Sequence, residues 1–230
     1  MLLLQTDTPF KSLDLGPFSV SIPKEWKYKK LRGIDSYVGR FECGNGTHLD
    51  FDYSTNGYAS SLIPSEEEFI DYYLQYGQDD TAFCEPGIVY TNKEHIEQTI
   101  QRLEKERPAG DTTPIVVREW PNPTKKLIKP TDSLQKLYPE ADYIAILTYQ
   151  NRSVRIPLLV PQQTKDHHIK VASQQPVYKK IIIPKDRKGM TGLCIVDSTK
   201  GFNFSLYGMN LSNQDQQDAL KVFASIRFKD

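Results

Sequence analysis

Cysteine is scarce in this chain, neither sign of charge is in excess, and no apolar run is long. Only three cysteines occur, Cys43, Cys84 and Cys194, and their spacing fits neither a metal-binding pattern nor a disulfide framework. They read as three separate small apolar side chains, although an oxidising compartment could close one pair and leave an odd thiol. Lysine plus arginine and aspartate plus glutamate number 29 each, so the formal net charge is zero. That balance lacks the basic footprint of a general nucleic-acid binder, and no nucleic-acid partner is expected. The apolar run "IPLLVP" at 156–161 falls far short of the roughly 18 residues that a spanning helix needs, so no membrane span is expected. The opening "MLLLQTDT" is too short for a secretory signal and lacks its basic start. The glycines of "DRKGMTG" are too few and wrongly placed for a phosphate loop, and no cofactor is expected.

What the chain does have is aromatic side chains, with 13 tyrosines and 10 phenylalanines among 230 residues. A chain this long can bury a substantial core without metal or disulfides, and aromatics spread along alternating segments point to a β-rich interior. In "FSVSIPKEW" Phe18, Val20 and Ile22 alternate with serines, a half-buried strand that Pro23 ends. "SYVGRFECG" and "HLDFDYS" follow as a hairpin joined by Gly44-Asn45-Gly46. A helix is predicted at "SEEEFIDYYLQYG", with Ser65 and Glu68 as a capping box. A second is predicted at "TNKEHIEQTIQRLEKE", with Thr91 and Glu94 in the same roles. "ADYIAILTYQNRSVRIPLLVP" reads as a hairpin turning near Asn151-Arg152, with Pro157 placing its second strand at an edge. Three more strands, "VYKKIIIPK", "MTGLCIVD" and "FNFSLYG", precede a final helix capped by Ser212 with Asp215. The order of three strands and a Ser-capped helix thus occurs twice, near the start and at the end.

The segment carrying Phe18, Ser19, Val20, Ile22, Pro23 and Trp26, together with the closing Ser225, Ile226, Arg227 and Phe228, resembles the PsbP-like superfamily. That superfamily includes the photosystem II extrinsic protein, Ran guanine-nucleotide release factors and DcrB-like bacterial proteins. The resemblance covers roughly 14–77 and 176–229, and residues 80–175 depart from it. It implies an α+β fold, an antiparallel β-sheet flanked by helices in an α/β/α sandwich, with a central β-hairpin and helix insertion. Residues 1–13 are then a tether, and 14–230 one domain with 80–175 as its enlarged middle. It also implies an accessory role, slightly favours a place outside the cytoplasm, and supplies no catalytic residue. "SIRF" is expected to add a short strand or a packed tail.

Three function classes follow. The first is a non-enzymatic binding module with a protein partner, for which Tyr58, Tyr72, Tyr73 and Tyr76 are the candidate contacts, since half-buried aromatic surface is typical of interfaces. The second is a small-molecule or divalent-metal carrier. His48, Asp50 and Asp52 share one strand face and offer imidazole and carboxylate donors. The third is an enzyme, which would draw on Cys194 or a histidine in a cleft. Cys194 has the neighbours of a buried strand and no histidine close in sequence. The adjacent His167 and His168 read as a surface turn.

Overall fold

The computed structural model describes residues 8–229 apart from Asn56, Tyr58, Gln78 and Asp79. In chain order the first strands are β1 (Phe10–Asp14), β2 (Phe18–Pro23), β3 (Lys27–Lys30), β4 (Tyr37–Glu42) and β5 (His48–Ser54). Helix α1 (Glu66–Tyr76), β6 (Val89–Thr91), α2 (Ile96–Glu106), β7 (Val117–Glu119), β8 (Thr124–Ile128) and α3 (Asp132–Leu137) follow. Next are β9 (Tyr143–Tyr149), β10 (Arg152–Leu158), α4 (Gln162–Lys165), β11 (His167–Gln174) and β12 (Val177–Pro184). The last elements are β13 (Met190–Asp197), β14 (Phe202–Met209), α5 (Asn213–Ser225) and β15 (Arg227–Phe228). The fold is α+β and built on antiparallel sheets; among the described residues only β6 and β7 pair in parallel.

The chain divides into two units, 1–68 with 161–230, and 69–160. The first holds a seven-stranded sheet in the order β11-β12-β13-β14-β5-β4-β3 and a three-stranded sheet β1-β2-β15. The large sheet joins two meanders, β3-β4-β5 and β12-β13-β14, along β5 and β14, where Leu206 lies opposite Phe51. This is the repeated order read from the sequence, with one change. The first meander starts at β3, because β2 belongs to the small sheet.

One face of the large sheet carries Leu49, Phe51, Leu193, Phe204 and Leu206, which pack with Ala219, Val222 and Phe223 of α5 and with Phe18, Val20 and Ile22 of β2. Phe18 is fully buried, 5.2 Å from the Phe51 ring and 5.0 Å from that of Phe204. Ala219, Val222 and Phe223 form the buried face of α5. Gly39 lets β4 pass this core: a Cβ there would stand 2.5 Å from the Phe51 ring. The Ser212 hydroxyl accepts from the Asp215 N–H at 3.1 Å, as the sequence predicts. "SIRF" closes the small sheet, with Phe228 opposite Phe18 and Arg227 opposite Ser19. Residues 10–13, expected in a tether, instead enter β1, where Leu13 lies opposite Val20 and packs against the core.

The second unit, 69–160, contains the sheet β10-β9-β8, the β6-β7 pair and helices α2 and α3. Its buried cluster is small, built on Leu134, Ala141 and Ile144. The β9-β10 hairpin turns at Gln150-Asn151, both at positive φ, as in a type I′ turn. The division differs from the expected 80–175, because His167–Gln174 forms the edge of the large sheet against β12. That pairing also corrects the reading of His167-His168 as a surface turn. The Thr91–Glu94 capping box does not form, because Thr91 is the last residue of β6 and a 3-10 turn, Lys93–His95, leads into α2. No helix of the described residues is long and apolar enough to cross a membrane.

Candidate functional site

The second face of the large sheet carries a row of polar side chains that sequence alternation alone does not reveal. Strand register places Lys180 beside Cys194, Cys194 beside Ser205 and Ser205 beside Asp52. Neighbouring strands stand about 4.8 Å apart, so these four side chains form one line across β12, β13, β14 and β5. Lys180, Cys194 and Ser205 are all buried. The segment before α1 lies over them: Leu62 packs above Gly192, where a Cβ would come within 2.9 Å of its Cδ1. Leu62 itself has φ +59, and its N–H donates to the Ser60 hydroxyl at 3.1 Å. A branched side chain in that region is strained and is held there by its surroundings. The Thr164 hydroxyl donates to the Pro64 carbonyl at 2.9 Å and ties the same segment to α4.

Glu68 completes the row. Its carboxylate accepts from Lys180 at 2.9 and 3.2 Å, from the Tyr178 hydroxyl, and from the Ser65 N–H at 2.6 Å. The Ser65 hydroxyl in turn accepts from the Glu68 N–H at 3.1 Å, so the predicted capping box forms and also delivers a counter-charge to the buried ammonium. Burial pushes the Glu68 carboxyl upward, but the Tyr178, Ser65 and Lys180 donors outweigh it and hold the group below the usual carboxylate range. Burial and the Glu68 hydrogen bond raise the Tyr178 phenol. Burial likewise raises the Cys194 thiol, against the pull of Lys180. A thiol kept protonated and 2% exposed is the reverse of an activated nucleophile. The Ser205 hydroxyl and one oxygen of Asp52 are buried without a hydrogen-bond partner among the described residues. The row therefore suits holding charge in a dry sheet face. Alternation marks one member of the row only: Lys180 shares a strand face with Tyr178 and Ile182, an inward position for a lysine.

His48, Asp50 and Asp52 do share one face of β5, as expected. His48 and Asp50 line a pocket of about 170 Å³ with Thr47 and Tyr207. The His48 Nε2 stands 3.5 Å from Asp50, but Asp50 is gripped at both oxygens by Arg40, at 2.6 and 3.0 Å. A guanidinium thus sits where a metal ion would need the carboxylate, and no group of three such ligands is gathered among the described residues. His167 is buried, with Nδ1 2.5 Å from the Gln163 carbonyl and Nε2 accepting from the Met190 N–H at 3.0 Å. Both ring nitrogens are used in joining α4, β11 and β13.

Of the tyrosine candidates, Tyr72 and Tyr76 are 67% and 57% exposed and lie against each other with ring centroids 5.2 Å apart. One turn of helix separates them, which explains the pairing. Tyr73 is half-buried under the Lys125 ammonium, and Tyr58 lies outside the described residues. Both Tyr72 and Tyr76 belong to the second unit, which holds eight of the twelve large apolar side chains exposed among the described residues, including Trp120, Leu137 and Leu159. Strand β10 is an edge of its sheet, and Ser153, Arg155 and Pro157 along it are exposed. None of the three cysteines forms a disulfide among the described residues, and Cys43 and Cys194 are buried. No protein-family model matches the chain, and no curated protein matches it.

Proposed function

We propose that the chain is a non-enzymatic binding module that works through a protein–protein interface on residues 69–160. The observation that carries this reading is the uneven distribution of exposed apolar surface. The first unit encloses a large aromatic core, whereas the second encloses a small one and leaves Tyr72, Tyr76, Trp120, Leu137 and Leu159 exposed. Exposed aromatic surface of this kind is enriched at binding interfaces. The open edge at β10 adds a backbone that a partner strand can extend. Edges β3 and β8 carry three and two lysines, which guard them against such pairing. The resemblance to the PsbP-like superfamily, whose members act mostly as accessory proteins, points in the same direction.

A photo-crosslinking residue at Tyr76 or at Arg155, introduced in the chain's own host, tests the reading. The expected result is one partner captured from both positions and none from Lys27 on the guarded edge of the large sheet. Capture should fall when Tyr72→Ser and Tyr76→Ser are combined with the Arg155 probe. Equal labelling from all three positions, or none from the two in 69–160, removes the reading.

A further inference from the structure

The second unit also encloses a pocket of about 270 Å³, assembled where its separate elements meet. A 3-10 turn contributes Phe83, which is 4% exposed. The type I′ turn between β9 and β10 brings Tyr149 and Arg152 directly opposite each other. The Phe83 and Tyr149 rings are 5.7 Å apart, and the Arg152 guanidinium lies 5.8 Å from the centre of Phe83. The third wall comes from β6 and β7. Tyr90 stacks on Trp120 at 5.5 Å and accepts the Glu85 N–H at 2.9 Å, and Arg118 pairs with Glu85 at 3.1 Å.

Charge accounting in this pocket leaves a remainder. Glu85 and Arg118 satisfy one another. Arg152 and Glu119 line the same pocket, yet neither forms an ion pair with the other or with any described residue. The Arg152 guanidinium lies over the Phe83 ring, a contact that attracts the cation without neutralising it. A cation, an unpaired carboxylate and aromatic walls lining one pocket complement a small zwitterion that carries an apolar group. The volume lies just below the roughly 300–1,000 Å³ of pockets for drug-sized ligands, so it suits a single small metabolite.

We propose that this pocket binds a free α-amino acid with an apolar side chain. The carboxylate pairs with Arg152, whose fork suits bidentate recognition. The ammonium pairs with Glu119, and the side chain lies against Phe83 and Tyr149. The proposal is independent of the interface reading, since binding a free amino acid requires no protein partner.

Titration of the full chain with L-leucine, followed by calorimetry and by the fluorescence of Trp120 beside the pocket, is the test. N-acetylleucine, which lacks the ammonium, and leucinamide, which lacks the carboxylate, are the comparators. Leucine should saturate, and each comparator should bind at least about tenfold more weakly, the share of one charge-assisted hydrogen bond. Arg152→Gln should erase the discrimination between leucine and leucinamide. Glu119→Gln should erase that between leucine and N-acetylleucine. Both side chains are exposed, so circular dichroism and the melting temperature should stay at parental values and separate loss of binding from loss of fold. No saturable signal with leucine or phenylalanine up to about 10 mM overturns the proposal. So does equal binding of leucine and both comparators, and so does preference for N-acetylleucine, which marks a plain anion site.

Discussion

Replacing Glu68 by Gln removes the counter-charge from an ammonium that has almost no access to water. The Lys180 side chain is 1% exposed and that of Glu68 32%. Breaking a fully buried ion pair from one side costs about 3–5 kcal/mol, because the remaining charge stays desolvated. Two features reduce the figure here. Glu68 stands at the edge of the row, partly in water, and glutamine keeps an amide oxygen for Tyr178, Lys180 and the Ser65 N–H. The expected loss is about 2 kcal/mol, or a fall of about 4–8 °C in melting temperature for a chain of this size. Thermal unfolding at neutral pH, followed by circular dichroism and by the buried Trp26 of the first unit, measures it. Adding Lys180→Met should recover part of the loss, since a methionine of similar length needs no counter-charge. The pH dependence has a definite sign. The folded Glu68 carboxyl lies below its unfolded value of roughly 4.3, so its contribution is complete above that value and is lost as pH falls through the lower folded one. The stability difference between parent and Glu68→Gln should therefore narrow in acid. A loss within about 0.5 kcal/mol of zero, or a double variant less stable than Glu68→Gln alone, would refute the account of Lys180 as a charge dependent on this partner.

Three further outcomes follow from the same geometry. Gly39→Ala should destabilise by about 1–3 kcal/mol in a denaturant titration, because its methyl meets the buried Phe51 ring at 2.5 Å; an unchanged midpoint would mean the ring can move aside. Burial and the charge of Asp215 push the Cys43 thiol up to about 12, and burial raises Cys194 as well. A thiol-reactive dye near pH 8 should therefore label Cys84 first, and peptide mapping should find Cys43 and Cys194 only after denaturation. Ser212→Ala should cost about 1 kcal/mol through loss of the α5 cap, read as a lower denaturant midpoint with unchanged cooperativity.

Local signals carried far in this protein. The alternation in "FSVSIP", "HLDFDYS" and "FNFSLYG" was enough to place strands and to separate Leu49, Phe51 and Tyr53 from His48, Asp50 and Asp52, because a strand's two faces depend only on its own backbone. The caps at Ser65–Glu68 and Ser212–Asp215 were equally legible, since both partners lie three residues apart. The cap read at Thr91–Glu94 has the same spacing and did not form, because β6 draws Thr91 into pairing with a strand distant in sequence. Such a competitor is invisible locally.

The same distinction governs the candidate sites. The sequence by itself determined the α+β class, the principal strands of the first unit and the closing helix and strand, all of which rest on neighbours a few residues apart. Only the tertiary structure decided that β14 lies against β5, that Lys180 is buried against Glu68, that Arg40 occupies Asp50, and that Arg152 and Glu119 share a pocket. Each of these joins side chains from different elements, and their energies come from desolvation and charge pairing that exist only once distant segments have packed.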